Sequence, residues 1–456
     1  MSAPQLFPLD EDGSSGASSG EGRNAHVRSG LVFRKPVEPE LSPLGTHPEI
    51  PGDHLVRKLR QVLFTMDLSC LKDLYLDRGG VPYDPRHVLG AVLYGMTEGV
   101  RSGEQLQEHC RYDARYRFLM DGQTPDDRTF QRAVNRWGGS LDQVLKEVLR
   151  AARRIHPGLG TEVAVDGVKV SGCSSVWSYR SDPSLVSDPD VRAMVSHGRR
   201  YLGYNAQTAV DVGTGLVVGA EVVQDQADWH AMPKVIEAME AQLGGSPAHA
   251  LADQGYESPS TIRYLEDKGI DSVIQPSSDL PECLGENGEG ELVCPAGRPF
   301  ELRHKATKRK TVYDVYRPVG GCRNCPLKDG CAFRGKRLDT PEGTDPGARF
   351  RNRDRYLSGT HEGAMRKRRL AELPFAALRV RTRFGRFERR GLANVRAEFL
   401  LWTIAYNMEL ILRGLHWVGP AFPRLLSWVG RLARKVLPAL HTCLGAPPAP
   451  LRLSKS

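Results

Sequence analysis

The sequence predicts an α/β protein in which a mixed sheet carries helices on its faces, preceded by an all-helical N-terminal region and interrupted by a small cysteine-rich insertion. Three observations predict it. From residue 161 onward, short Val-rich alternating runs are followed by strand–turn–helix units. Helical periodicity dominates the chain before that point and returns from about 360 to 413. Between these regions, residues 281–345 break both patterns with cysteines, prolines and glycines. A chain of 456 residues has room for two or three cored domains.

Taken in order, residues 1–45 are low in apolar content and contain "GSSGASSGEG", which predicts a disordered leader. Residues 46–155 are predicted to be helical. Asp84-Pro85 is a start signal, with Val88, Leu89, Val92, Leu93 and Met96 on one face, Ser102 can cap a short helix, and Thr124-Pro125 opens another. Such a set of short helices fits a helix-turn-helix DNA reader and a plain bundle equally well. "TEVAVDGVKV" reads as a strand containing Asp166. "YNAQTAVDVGTGLVVGAEVV" reads as a hairpin turning at Gly213-Thr214-Gly215. "AHALADQGYESPS" reads as a strand ending on Asp253, then a turn and a helix opened by Ser258-Pro259. The sheet region is therefore 160–280 plus 346–415, with the insertion at 281–345 and a C-terminal tail at 416–456. The apolar window 397–419 contains Glu398, Asn407, Glu409 and Arg413, which makes it a core helix and not a membrane span.

Charge points to a polyanionic partner. The chain has 63 Lys and Arg against 54 Asp and Glu, for a net +9. Much of the excess sits in "RKRRLAELPFAALRVRTRFGRFERR", residues 366–390. Arg dominates that block, and its planar fork suits phosphate better than a Lys ammonium does. A solvated helix face is the other reading of such a block. The first thirty residues are polar, unlike a secretory signal, so an intracellular protein is expected, with no membrane partner. Nine cysteines in a reducing compartment then argue for thiols or metal ligands. Cys294, Cys322, Cys325 and Cys331 make a four-thiolate set with one CxxC step, suited to tetrahedral zinc, the other reading being four unliganded thiols. Cys283 is a spare candidate. Cys70, Cys110, Cys173 and Cys443 look like scattered small hydrophobes.

The chemistry rests on acids. Asp166 and Asp253, on neighbouring strands, could jointly hold a hard divalent cation, and a third acid would complete the site. Glu372 is the candidate, with Arg368 four residues before it and Arg379 seven after, all on one face of a continuous helix. An ion pair within that helix is the alternative. Two metal ions about 3.5–4 Å apart would activate the attacking oxygen and stabilise the leaving oxygen of a phosphodiester displacement. Trp229 reads as packing, with stacking on a displaced base as a second possibility.

In order along residues 50–415, "VAVDGVKV", "GYNAQTAVD", "DQADWH", "LADQGYES" and "RFGRFERRGLANVRAEFLLWTIAYNM" resemble the DDE transposases of bacterial insertion sequences. The resemblance implies an RNase H-like core in which Asp166, Asp253 and Glu372 bind two Mg²⁺ (or Mn²⁺) ions for DNA cleavage and strand transfer. It implies double-stranded DNA as partner, both terminal inverted repeats and target, a homodimer or higher multimer on that DNA, and a cytoplasmic, nucleoid-associated protein. Arg368, Arg379, Arg381, Arg383 and Arg386 would contact DNA phosphates, and the insertion would resemble a zinc ribbon holding one structural Zn²⁺. The sequence departs from the family at Met365, where many relatives have Tyr, and Pro374 close behind Glu372 is expected to kink the helix. A nuclease without strand transfer and a non-catalytic DNA-binding regulator are the two alternatives.

Overall fold

The computed structural model describes residues 33–34, 49–75, 80–174, 187–196, 198–308, 311–358, 362–380 and 384–413. Most of the predicted leader and the whole tail, with Cys443, lie outside them. Two residues of the leader do have partners: the Phe33 ring meets Tyr75 edge-on, and Arg34 lies over the Tyr83 ring and donates to the Val81 carbonyl.

Seven helices open the described chain: α1 (Leu55–Thr65), α2 (Ser69–Lys72), α3 (Pro85–Glu98), α4 (Gly103–Tyr112), α5 (Ala114–Leu119), α6 (Asp127–Trp137) and α7 (Leu141–Ile155). Their starts follow local chemistry. Asp84 caps α3 ahead of Pro85, and Ser102 with Gln105 forms a complete capping box on α4. The helix expected to open at Thr124-Pro125 starts later, because the Asp126 carboxylate accepts the Thr129 N–H and caps α6 there.

The sheet comprises β1 (Glu162–Ser171), β2 (Arg192–Ser196), β3 (Arg199–Asp211), β4 (Val217–Val223), β5 (His249–Ala252) and β6 (Asp271–Ile274). Its order is β2-β3-β1-β5-β6, with β4 also on β3. β3 runs antiparallel to β1, β2 and β4, whereas β5 and β6 run parallel to β1. The parallel half needs crossovers, supplied by α8 (Ala231–Leu243) and α9 (Pro259–Asp267). Small sheets of the insertion follow: β7 (Gly285–Glu286) with β8 (Leu292–Val293), and β9 (Phe300–Lys308), β10 (Thr311–Pro318) and β11 (Leu338–Pro341). Then come α10 (Ala348–Leu357), α11 (Glu362–Arg368), α12 (Glu372–Val380) and α13 (Leu392–Arg413).

The N-terminal helices do not enclose a core of their own. One apolar cluster runs from Ile50 through the sheet to Leu412, with α13 packed against α1, α3, α7 and β4. An amphipathic helix displays a face without naming its partner, which is why a separate helical unit was expected. Arg101, between α3 and α4, crosses this junction: it pairs with the buried Glu398 at 3.2 Å, donates to the Arg386 carbonyl at 3.0 Å and lies over the Phe384 ring.

Two asparagines finish the sheet. Asn407 of α13 accepts from the Val217 N–H and donates to its carbonyl, at 2.9 and 2.8 Å, on β4. Asn352 of α10 does the same to Ile274 on β6, at 3.3 and 2.9 Å. Each side-chain amide takes the place of a strand residue for backbone groups that are buried. Asn407→Ala would leave two buried backbone groups without partners, at about 2–4 kcal/mol. Urea unfolding should report that loss, with Asn407→Gln recovering little of it because the longer side chain misplaces the amide.

Candidate functional site

The site begins with the register of β1 and β5. They pair at Glu162–His249, Val163–Ala250 and Ala164–Leu251, and the ladder then stops. Carried two residues further, that register sets Asp253 level with Asp166. On the same edge β1 next meets Arg386, through a bridge at Ser171, so among the described residues Val165–Val170 have no strand partner on that side. Asp166 therefore sits in a gap in the sheet.

Asp166 Oδ1 accepts the Gly167 N–H at 2.8 Å. Its pKa is raised from the usual 3.8 to about 6, chiefly by burial and also by the like charges of Asp253 and Glu372, against the lowering effect of the Gly167 N–H and Arg368. Both other predicted acids thus act on Asp166. Asp253 also caps a one-turn helix at Gln254–Tyr256, its Oδ1 accepting the Gly255 N–H at 2.8 Å. The turn-capping and site-forming readings of Asp253 describe one side chain.

Glu372 opens α12, and Arg368 pairs with it at 3.5 Å. The continuous helix expected here is interrupted: α11 ends at Arg368, residues 369–371 form a 3₁₀ turn, and α12 starts afresh. Pro374, expected to kink the helix, falls in the first turn of α12, and the carbonyl four residues before it, which it cannot bond, is that of Leu370 in the 3₁₀ turn. Arg379 lies in the last turn of α12 and Arg386 on the bridging segment, both exposed. Arg381 and Arg383 lie outside the described residues. Two nearby glutamates, Glu388 and Glu398, pair instead with Arg101, and Glu398 also accepts the N–H groups of Glu388 and Arg389.

A family model of the transposase DDE domain matches residues 157–408, which contain the whole sheet and all three acids. The chain belongs to the DDE transposase family. A second model, of a transposase domain, matches residues 46–136. No curated protein shows significant similarity. Among solved structures, a cryo-EM structure of a piggyBac transposase synaptic complex with hairpin DNA aligns over 84% of this chain and 81% of that one, at 12% identity and a TM-score of 0.33. At that similarity it adds nothing to the family match.

The transposase motifs hold more than the three acids. Gln207 Nε2 donates to Asp228 Oδ1 and to Asn205 Oδ1, both at 2.9 Å, and Asn205 Nδ2 donates to Asp228 Oδ1 at 2.7 Å. Lys169 approaches the other oxygen of Asp228 at 3.3 Å. The buried Tyr256 hydroxyl donates to Gln207 Oε1, tying the Asp253 turn to β3 and through it to β1. Gly167 makes this possible, since a Cβ there would stand 2.1 Å from Gln207 Nε2. Asp228 and Asp253 face each other across Gly255. Asn205, Gln207 and Asp228 lie in "GYNAQTAVD" and "DQADWH", where the sequence alone assigns them no role. The available signal was a glycine inside a strand next to an acid, which marks close approach of another group. Trp229, expected to pack, is 44% exposed.

In the insertion, Cys294 is buried in a small cluster with Leu280, Leu284, Leu292, Phe333 and Phe350, against which Cys283 and Cys331 also pack. Cys322 and Cys325 share a turn, and Arg298 donates to the Gly321 carbonyl at 2.7 Å, joining that turn to the one at Cys294. Among the described residues no three His, Cys, Asp or Glu side chains converge closely enough to hold a metal ion, in the insertion or at the acids. No described helix is long and apolar enough to cross a membrane.

DDE transposases use divalent metal ions, and the acids of this chain have the right donor chemistry. The hard-oxygen carboxylates of Asp253 and Glu372 act unfavourably on the partly buried Asp166, and a cation would relieve that repulsion. Without metal, the folded protein keeps a proton on Asp166 between about pH 4 and 6 that the unfolded chain has lost. Stability therefore falls as pH rises through that window, and the loss is complete above it. In EDTA, Asp166→Asn should melt several degrees above the parent at pH 7.5 and level with it at pH 4, by differential scanning calorimetry.

Proposed function

We propose that the protein cleaves DNA at the ends of its element and joins the freed strand to target DNA. The observation that carries this reading is the β1–β5 register, which sets Asp253 level with Asp166 in a sheet gap where Glu372 and Arg368 also act on Asp166. The strand order and directions support an RNase H-like core. Asp166, Asp253 and Glu372 would hold two Mg²⁺ or Mn²⁺ ions, which when bound activate the attacking oxygen and stabilise the leaving one. Arg368 orients Glu372 and, with Arg379, Arg381, Arg383 and Arg386, offers charge to the strand backbone.

In the first step water attacks the phosphorus and the P–O3′ bond breaks, leaving a 3′-hydroxyl and a 5′-phosphate. In the second, that hydroxyl attacks a target phosphorus and displaces a target 3′-oxygen. Its partners would be terminal inverted repeats and target DNA, with two or more copies acting together. The net positive charge and the Arg-rich block favour DNA.

Asp166→Asn, Asp253→Asn and Glu372→Gln should each bind a labelled duplex as the parent does, yet cut supercoiled plasmid in Mg²⁺ at least about 10³-fold more slowly. Normal cutting by Glu372→Gln beside two inactive Asp variants would reject Glu372 alone. Cleavage without recovered joined products would favour a nuclease, and DNA binding without any cleavage a regulator.

The insertion is proposed to hold one zinc through Cys294, Cys322, Cys325 and Cys331, its small apolar cluster being too slight to order so polar a segment alone. Protein purified without chelators should contain about one zinc per chain by elemental analysis. Cys325→Ser should lose it while keeping the fold around the acids.

A further inference from the structure

Beyond the acids, the face of β1 and β3 that carries Lys169 and Asn205 opens into a polar pocket of about 550 Å³, lined by Lys169, Ser171, Ser196, Arg199, Tyr201 and Gly385. Two cations and three hydroxyls line it, and no carboxylate does. The pocket is built into the β2–β3 pair, where Ser196 lies opposite Arg199 and Met194 opposite Tyr201. The Tyr201 hydroxyl is fixed by donating to the Lys169 carbonyl at 2.8 Å. Arg379, on the helix that begins with Glu372, acts on the same hydroxyl electrostatically. Lys169 has Asp228 as a partner, whereas Arg199 has no acidic partner among the described residues. Gly385 belongs to the segment that rejoins β1 at Ser171, so the pocket borders the far end of the gap that holds Asp166.

The position matters as much as the chemistry. Lys169 follows Asp166 by three residues, about 10 Å along a strand; alternation turns it to the other face from Asp166, where it pairs with Asp228, whose carboxylate and that of Asp253 both lie beside Gly255. A DNA strand carries a phosphate for about every 3.4 Å of helix axis, so a strand cleaved at Asp166 has further phosphates within that reach. We propose that this pocket binds a backbone phosphate of the DNA strand neighbouring the one cleaved at the acids. This rests on the cleavage reading above. Arg199 supplies a planar fork and Lys169 a point charge, and the Ser171 hydroxyl adds a donor, while Ser196 is hydrogen-bonded to Tyr201 and helps to fix it. The contact positions the strand and reads no sequence.

The test compares Arg199→Glu with Arg200→Glu in the full chain. Both change the charge equally and stand side by side on β3, but strand alternation directs Arg200 to the opposite face, opposite Val195. Binding of a fluorescein-labelled duplex is followed by anisotropy as NaCl is raised. Arg199→Glu should weaken binding by about 10-fold and lower the log–log salt slope by about 1, the signature of one lost phosphate contact. Arg200→Glu should change the slope by less than half as much, and Lys169→Met should follow Arg199→Glu. Equal effects at positions 199 and 200, or an unchanged slope in Arg199→Glu, would overturn the proposal. Plasmid cleavage on the same preparations separates the two readings. If the pocket fails while Asp166-dependent cleavage persists, only this proposal falls; a parent that neither binds duplex in a salt-dependent way nor cleaves plasmid overturns both.

Discussion

The parallel ladder between β1 and β5 stops at Ala164–Leu251, and the acid centre follows from where it stops. Two more rungs would have paired Asp166 with Asp253 in the ladder and made Asp253 an ordinary strand residue. Instead, the Asp253 carboxylate captures the Gly255 N–H and turns the chain away. The side chain that ends the ladder is also the one delivered beside Asp166. The bridge at Ser171 closes the gap again from the other end, using the same arginine-rich segment that follows α12. Width and location of the opening are thus set by backbone pairing, which is stiffer than any arrangement of side chains on a loop.

Holding like charges together has a cost in the fold, and the structure distributes it. Asp166 is partly buried and raised in pKa, whereas Glu372 stays largely in solvent beside Arg368. Asp228 is neutralised locally by two amides and Lys169. A rigid amide network beneath the acids keeps their backbone in place while their charges repel. The neighbouring Glu398 shows a different solution, a carboxylate sealed into the core with Arg101 and two backbone N–H groups as company.

Much of this was legible in the sequence because it is local. Alternation located β1 and the β3–β4 hairpin, and capping residues located α3, α4 and α9. Asp166 within one strand and Asp253 at the end of another were readable as acids on neighbouring strands, but their register was not, since it depends on which strands become neighbours. Pro374 signalled a disruption between α11 and α12, but not its form, because a proline removes one hydrogen bond without saying whether the chain bends or tightens into a 3₁₀ turn. The single shared core escaped for a related reason: periodicity shows that a helix has an inner face, and α13 could have been that face's partner or not. Asn205, Gln207 and Asp228 escaped because buried polar residues reveal their purpose only through one another.

The asparagines at the two sheet margins have a meaning for a protein that works on DNA. A polyanion gathers basic proteins to high local concentration, where unprotected strand edges would zip into one another. Here the rung at Val217 and the rung at Ile274 are already occupied by helix amides. A second copy arriving alongside cannot add a strand at Val217 or Ile274 without first displacing a helix amide.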